Sequence, residues 1–111
     1  MDLIPVDKGN IPEYFTITLG TETFILSFAY NETSDFFTVS LLKPSELGEN
    51  EEMIMGEKLV LNKPLWSDFT NLDLPAPQLI PLDLSGQENR ITWDNFGVTV
   101  FLYINNGDPN E

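Results

Sequence analysis

The chain has 111 residues, enough for one domain with a single modest core, and 41% of them are apolar, including eight Phe, three Tyr and two Trp. It has no Cys and no His, which excludes a disulfide framework, a thiol nucleophile, a thiolate metal site, the usual general base near neutral pH and the commonest metal ligand. Eighteen acids against five bases (Lys8, Lys43, Lys58, Lys63 and Arg90) give a net charge of -13, so no basic stripe is available for direct nucleic-acid binding, and anionic membranes repel the chain.

Residues 1–13 carry prolines, a glycine and an asparagine and read as an extended N-terminal arm. Met1-Asp2-Leu3-Ile4-Pro5 lacks the basic start and long apolar run of a signal peptide, and no apolar segment approaches the roughly 20 residues of a membrane helix. The expectation is a soluble protein made in a cytoplasm. Tyr14 to Leu19 alternates, with Phe15, Ile17 and Leu19 on one face. After Gly20-Thr21-Glu22 the alternation resumes from Thr23 to Tyr30, with Phe24, Leu26, Phe28 and Tyr30 on one face, as in a hairpin. Asn31 to Asp35 is a polar turn, and Phe36 to Leu42 is a third strand with Phe37, Val39 and Leu41 facing together. These three strands predict a meander.

Lys43 to Glu52 reads as an acidic loop. Met53-Ile54-Met55 and Lys58 to Leu61 flank Gly56-Glu57 and predict a second, tighter hairpin. Residues 62–77 are irregular, and Pro64, Pro75 and Pro77 rule out a long helix or central strand, although Ser67 can cap one helical turn through Asn71. Leu65, Trp66, Phe69, Leu72 and Leu74 thus sit on a loop, where large apolar side chains either fold back onto the core or contact a partner; they form the candidate protein interface. Gln78 to Leu84 is a strand interrupted by Pro81, hence an edge or bulged one. Ser85 to Asn89 is a turn, and Arg90 to Trp93 can pair briefly. Asp94-Asn95-Phe96-Gly97 predicts a tight turn into a last strand with Val98, Val100, Leu102 and Ile104 on its buried face. Residues 105–111 contain no apolar side chain and read as a flexible tail, leaving a β domain over 14–104. Seven to eight short, mostly antiparallel strands with a turn signal every ten residues or so predict an all-β sandwich or barrel, a jelly-roll arrangement included.

Chemistry is weakly signalled. Asp83 and Asp94 are the carboxylates from which a glycosidase pair would be drawn, but Asp is ordinary in turns. Asp83 to Asn89 and Asn105 to Asp108 hold oxygens without matching a calcium loop. A serine nucleophile lacks its histidine, no spacing suggests a Ser-Lys pair, and the glycines form no phosphate loop. Trp66, Trp93 and Tyr30 are candidates for a sugar-stacking platform, against core packing or a protein contact. The expectation is no catalytic residue, no cofactor and no metal.

The order of turns and strands resembles the baseplate-plug family of tailed phages, small β proteins named from a cyanophage baseplate. The resemblance is carried by Phe15-Thr16-Ile17-Thr18-Leu19-Gly20, by Phe28-Ala29-Tyr30-Asn31, by Phe36-Phe37-Thr38-Val39 and by Ile54-Met55-Gly56-Glu57-Lys58-Leu59-Val60-Leu61. It continues in Asp83-Leu84-Ser85-Gly86, Asp94-Asn95-Phe96-Gly97 and Val100-Phe101-Leu102-Tyr103, and so covers residues 14–104. Phe36 stands where the family has Trp, and Phe96 where it has Leu. The resemblance implies a non-enzymatic virion component at the tail tip. Its partners would be hub and distal tail proteins, it would plug or line the tail channel, and homo-oligomers would form only in the assembled virion. The alternative is a receptor- or carbohydrate-binding module of the tail tip.

Overall fold

In a computed structural model, two antiparallel sheets face each other; the structure describes residues 2–19, 22–46, 48–66 and 78–105. The strands are β1 (Asp2–Ile4), β2 (Glu13–Leu19), β3 (Glu22–Asn31), β4 (Phe36–Pro44), β5 (Asn50–Lys58), β6 (Gln78–Leu82) and β7 (Phe101–Asn105). One sheet has the order β2-β3-β4-β5 and the other β1-β7-β6, so the molecule is an open sandwich and not a closed barrel.

The period-2 runs dictate the first sheet. In β2 and β3, Phe15 pairs with Leu26 and Ile17 with Phe24; in β3 and β4, Leu26 pairs with Leu41, Phe28 with Val39 and Tyr30 with Phe37. Because alternation puts each pair on one face, all these side chains point at the second sheet. Leu26, Phe28, Val39 and Leu41 are fully buried there, while Phe15 and Ile17 are partly buried at the margin. From the other sheet, Ile4, Leu79, Pro81 and Leu102 close the core, joined by Ile91, Phe96 and Val100 from the β6–β7 connection.

Three expectations are corrected. No hairpin forms at Gly56-Glu57; β5 runs straight through and pairs with β4 in a register that slips twice, between Val39 and Leu41 and between Leu41 and Leu42. Gly56 has φ 69°, which a bulge demands as much as a turn does, and its N–H donates to Ser40 Oγ at 2.9 Å. Lys43, Pro44 and Asn50 to Glu52, read as loop, belong to strands β4 and β5. The last strand begins at Phe101, not Val98, because Asn95 O gathers the N–H groups of Val98, Thr99 and Val100, each at 3.0 Å, into a turn that leaves Val98 exposed. In that turn only Gly97 takes the left-handed conformation, with φ 86°; Asp94 and Asn95 do not.

The N-terminal segment is extended, and its residues 2–4 pair with β7, Leu3 opposite Tyr103 and Ile4 opposite Leu102. β6 is the edge strand anticipated from Pro81. Its outer side is covered by the 59–66 segment, since Asn62 N donates to Pro81 O at 2.9 Å and Leu65 N to Leu79 O at 2.8 Å. The proposed helical turn from Ser67 and the tail from residue 106 lie outside the described residues.

Candidate functional site

The β6–β7 connection gathers most of the polar chemistry. Asp83 ends β6 and turns its carboxylate on the loop ahead. Oδ1 accepts from Ser85 N at 2.8 Å and from the Ser85 hydroxyl, and Oδ2 accepts from Gln87 N and Glu88 N, both at 2.8 Å. The Ser85 hydroxyl and then these N–H groups favour the ionised carboxyl and draw it from 3.8 down to about 2. A carboxylate so occupied is a loop clamp. Asp94 lies exposed on the next turn, and no cluster of metal-ligating side chains forms among the described residues.

Asn95 is the buried polar centre of this connection. Its Oδ1 accepts from Thr92 N at 2.8 Å, while Nδ2 donates to Arg90 O at 2.8 Å and to the Glu88 carboxylate. Sequence reasoning took Asn95 for a residue tolerant of a tight turn; its partners lie up to seven positions away, which no local signal encodes.

From there a chain of rings runs outward. Phe96 packs on Phe37 at 4.7 Å between centroids, Phe37 stacks on Trp93 at 5.9 Å and 12°, and Tyr30 touches both Phe37 and Trp93. Lys8 caps the outer end. Its ammonium lies 5.3 Å from the centre of the Trp93 ring and donates to Trp93 O. Beneath, Asp35 joins two connections of the fold: its carboxylate accepts from the Tyr30 hydroxyl at 2.7 Å and from Trp93 N at 2.9 Å, and Arg90 Nη2 donates to Asp35 O at 2.9 Å. The bond from Tyr30, then that from Trp93 N–H, hold Asp35 below its ordinary value; the same bond, with burial and the facing charge, pushes Tyr30 up to about 12. This is an architectural network; Asp35 and Arg90 also share a shallow depression with Lys58, Leu59 and Ile91.

Of the candidate interface, Leu65 and Trp66 are covered by the chain itself, each 5% exposed. Trp66 has φ 65° and its backbone N–H donates to Glu57 Oε2 at 2.8 Å, but its indole Nε1 finds no acceptor among the described residues. Phe69, Leu72 and Leu74 lie outside the described residues. Tyr30 and Trp93 are brought together, beside a shallow depression shared with Ile11, Pro12 and Glu32, whereas Trp66 makes no ring contact with either. The three aromatics therefore form no common platform.

Among the described residues no helix is long and apolar enough to cross a membrane. No curated protein and no solved structure matches the chain significantly. One family model does, that described as "Cyanophage baseplate Pam3 plug gp18", over residues 1–107. That span takes in both sheets, the arm that supplies β1 and the Asn95 turn. The chain accordingly belongs to the phage baseplate-plug family, as a structural component of the virion tail that associates with other baseplate proteins.

Proposed function

We propose that the protein is a non-enzymatic plug that sits against the tail hub and closes or lines the tail channel until DNA is ejected. The family match across residues 1–107 carries the reading. The net charge of -13 supports it, because an acidic surface beside the DNA path disfavours adhesion of the passing phosphates. The Asp83 and Asp94 geometry adds support, one carboxylate being spent on backbone N–H groups and the other lying on an exposed turn. Phe69, Leu72 and Leu74, following the anchored Leu65 and Trp66, are proposed to contact the neighbouring tail protein. Co-expression with each baseplate protein of the same phage tests the reading. A stoichiometric complex with the hub is expected, with no retention on cell-wall glycans. Failure to bind the hub, together with glycan retention abolished by Trp93→Ala, would favour a receptor-binding module instead.

A further inference from the structure

The two sheets differ on their outward faces. In an antiparallel sandwich the face turned from the core is ordinarily polar. The four-stranded sheet largely obeys: its outward rows read Thr18–Thr23, Thr16–Ile25–Leu42, Tyr14–Ser27–Ser40, Ala29–Thr38 and Asn31–Phe36, with a polar side chain in every row. The three-stranded sheet does not. Ile4, Leu79, Pro81 and Leu102 are buried and point inward, so Leu3, Ile80, Leu82, Phe101 and Tyr103 point outward. Register lines up Leu3–Tyr103–Ile80 as one row and Phe101–Leu82 as the next, with the Phe101 and Tyr103 rings 6.4 Å apart, edge to face. All five retain exposure, Leu3 the most at 46%, and Val98, beside the turn glycine at 97, is 65% exposed. A contiguous apolar face of this kind marks an interaction surface rather than scattered surface residues.

Charge narrows the occupant. Leu3 and Phe101 share a groove with Pro5, Val6, Asp7 and Glu13, and among the described residues no lysine or arginine lines it. At the far end Asp83 follows directly on Leu82. A second copy of the chain would bring another -13 and set acid rim against acid rim, which is repulsive. We infer that the outward face of the β1-β7-β6 sheet docks a baseplate protein whose contact surface has an apolar centre ringed by lysine and arginine. The inference rests on membership of the baseplate family, not on the hub or the channel, so a different baseplate protein in contact would uphold it while counting against the hub reading.

The test uses the full chain in assembled virions. A photoreactive benzoylphenylalanine replaces Tyr103 in one preparation and Tyr14, on the polar face of the other sheet and 76% exposed, in a second. Virions are irradiated and the crosslinked peptides sequenced. The expected result is a crosslink from position 103 to a Lys/Arg-rich surface segment of another baseplate protein, with none to that segment from position 14. In parallel, Tyr103→Lys and Phe101→Lys lower incorporation into virions by at least about tenfold, the like charge meeting the basic rim, while Tyr14→Lys incorporates normally. Melting curves confirm that the variants fold. A crosslink from position 103 to residues 67–77 of the same chain, to a second copy or to an acidic segment overturns the inference, as does normal incorporation of both lysine variants.

Discussion

Asn95→Ala tests the polar centre of the β6–β7 connection directly. The substitution deletes three side-chain hydrogen bonds, those with Thr92 N, Arg90 O and the Glu88 carboxylate, in a side chain only 9% exposed. At about 1 kcal/mol for each bond, and with groups left unpaired rather than replaced, the loss is about 3 kcal/mol, or a fall of about 12 °C in Tm for a domain of this size. Asn95→Asp separates this account from a mere packing loss, because it preserves the shape. It keeps the acceptor for Thr92 N but turns both donations into oxygen facing oxygen, one of them a carboxylate facing that of Glu88. At pH 7.5 it should cost about as much as the alanine, about 3 kcal/mol. The new carboxyl has a raised pKa in the fold, so its stability is complete at low pH and is lost as pH rises through that value. The deficit relative to wild type therefore shrinks between pH 7.5 and pH 5. Urea midpoints at both pH values, with unchanged m-values, provide the measurement. A deficit for Asn95→Asp below about 1 kcal/mol at pH 7.5, or one that grows on acidification, would refute the reasoning.

Asp83 has a depressed pKa in the fold, so its contribution is complete above its ordinary 3.8 and is lost as pH falls through about 2. Over that window the urea midpoint of wild type should fall more steeply than that of Asp83→Asn; parallel curves would contradict the clamp. Tyr30→Phe removes the bond that dominates the lowering of Asp35, so the Asp35 carboxyl should titrate higher in a carbon-13 NMR titration, and an unchanged titration would dismiss the pairing. Trp66→Ala should cost about 3 kcal/mol or more by urea unfolding, whereas Trp66→Phe should cost less because the indole Nε1 has no acceptor to lose among the described residues. Equal losses would show that the indole makes a polar contact in solution.

The meander was legible because its pattern is local: Phe24, Leu26 and Phe28 alternate with Thr23, Ile25 and Ser27, and only a strand puts the first three on one face. The ordered turn motifs likewise pointed to the family that the match over residues 1–107 shows. What failed was the reading of residues with two equally good local roles. Gly56 serves a bulge as readily as a hairpin, and the choice is made by Ser40 across the sheet. Val98 continues an apolar alternation, yet Asn95 O competes for the backbone ahead of β7 and wins. Asp35 offered no hint in sequence of its bonds to Arg90 and Trp93, which are formed across more than fifty positions of chain. The burial of Trp66 is also a tertiary outcome, since a tryptophan among prolines reads the same whether it faces the core or a partner.

The pairing of β1 with β7 sets an order of events during synthesis. Asp2 lies opposite Ile104, so β1 leaves the ribosome about a hundred residues ahead of β7 and waits for it before it can pair. The four strands from Glu13 to Lys58 need only near neighbours and can assemble early, but the face they build, with Phe24, Phe28 and Phe37 on it, stays open to water until Phe101–Asn105 arrives. A nascent chain stalled or cleaved before residue 101 is thus a half-sandwich with its core turned outward, a form exposed to chaperones, proteases and its own copies alike.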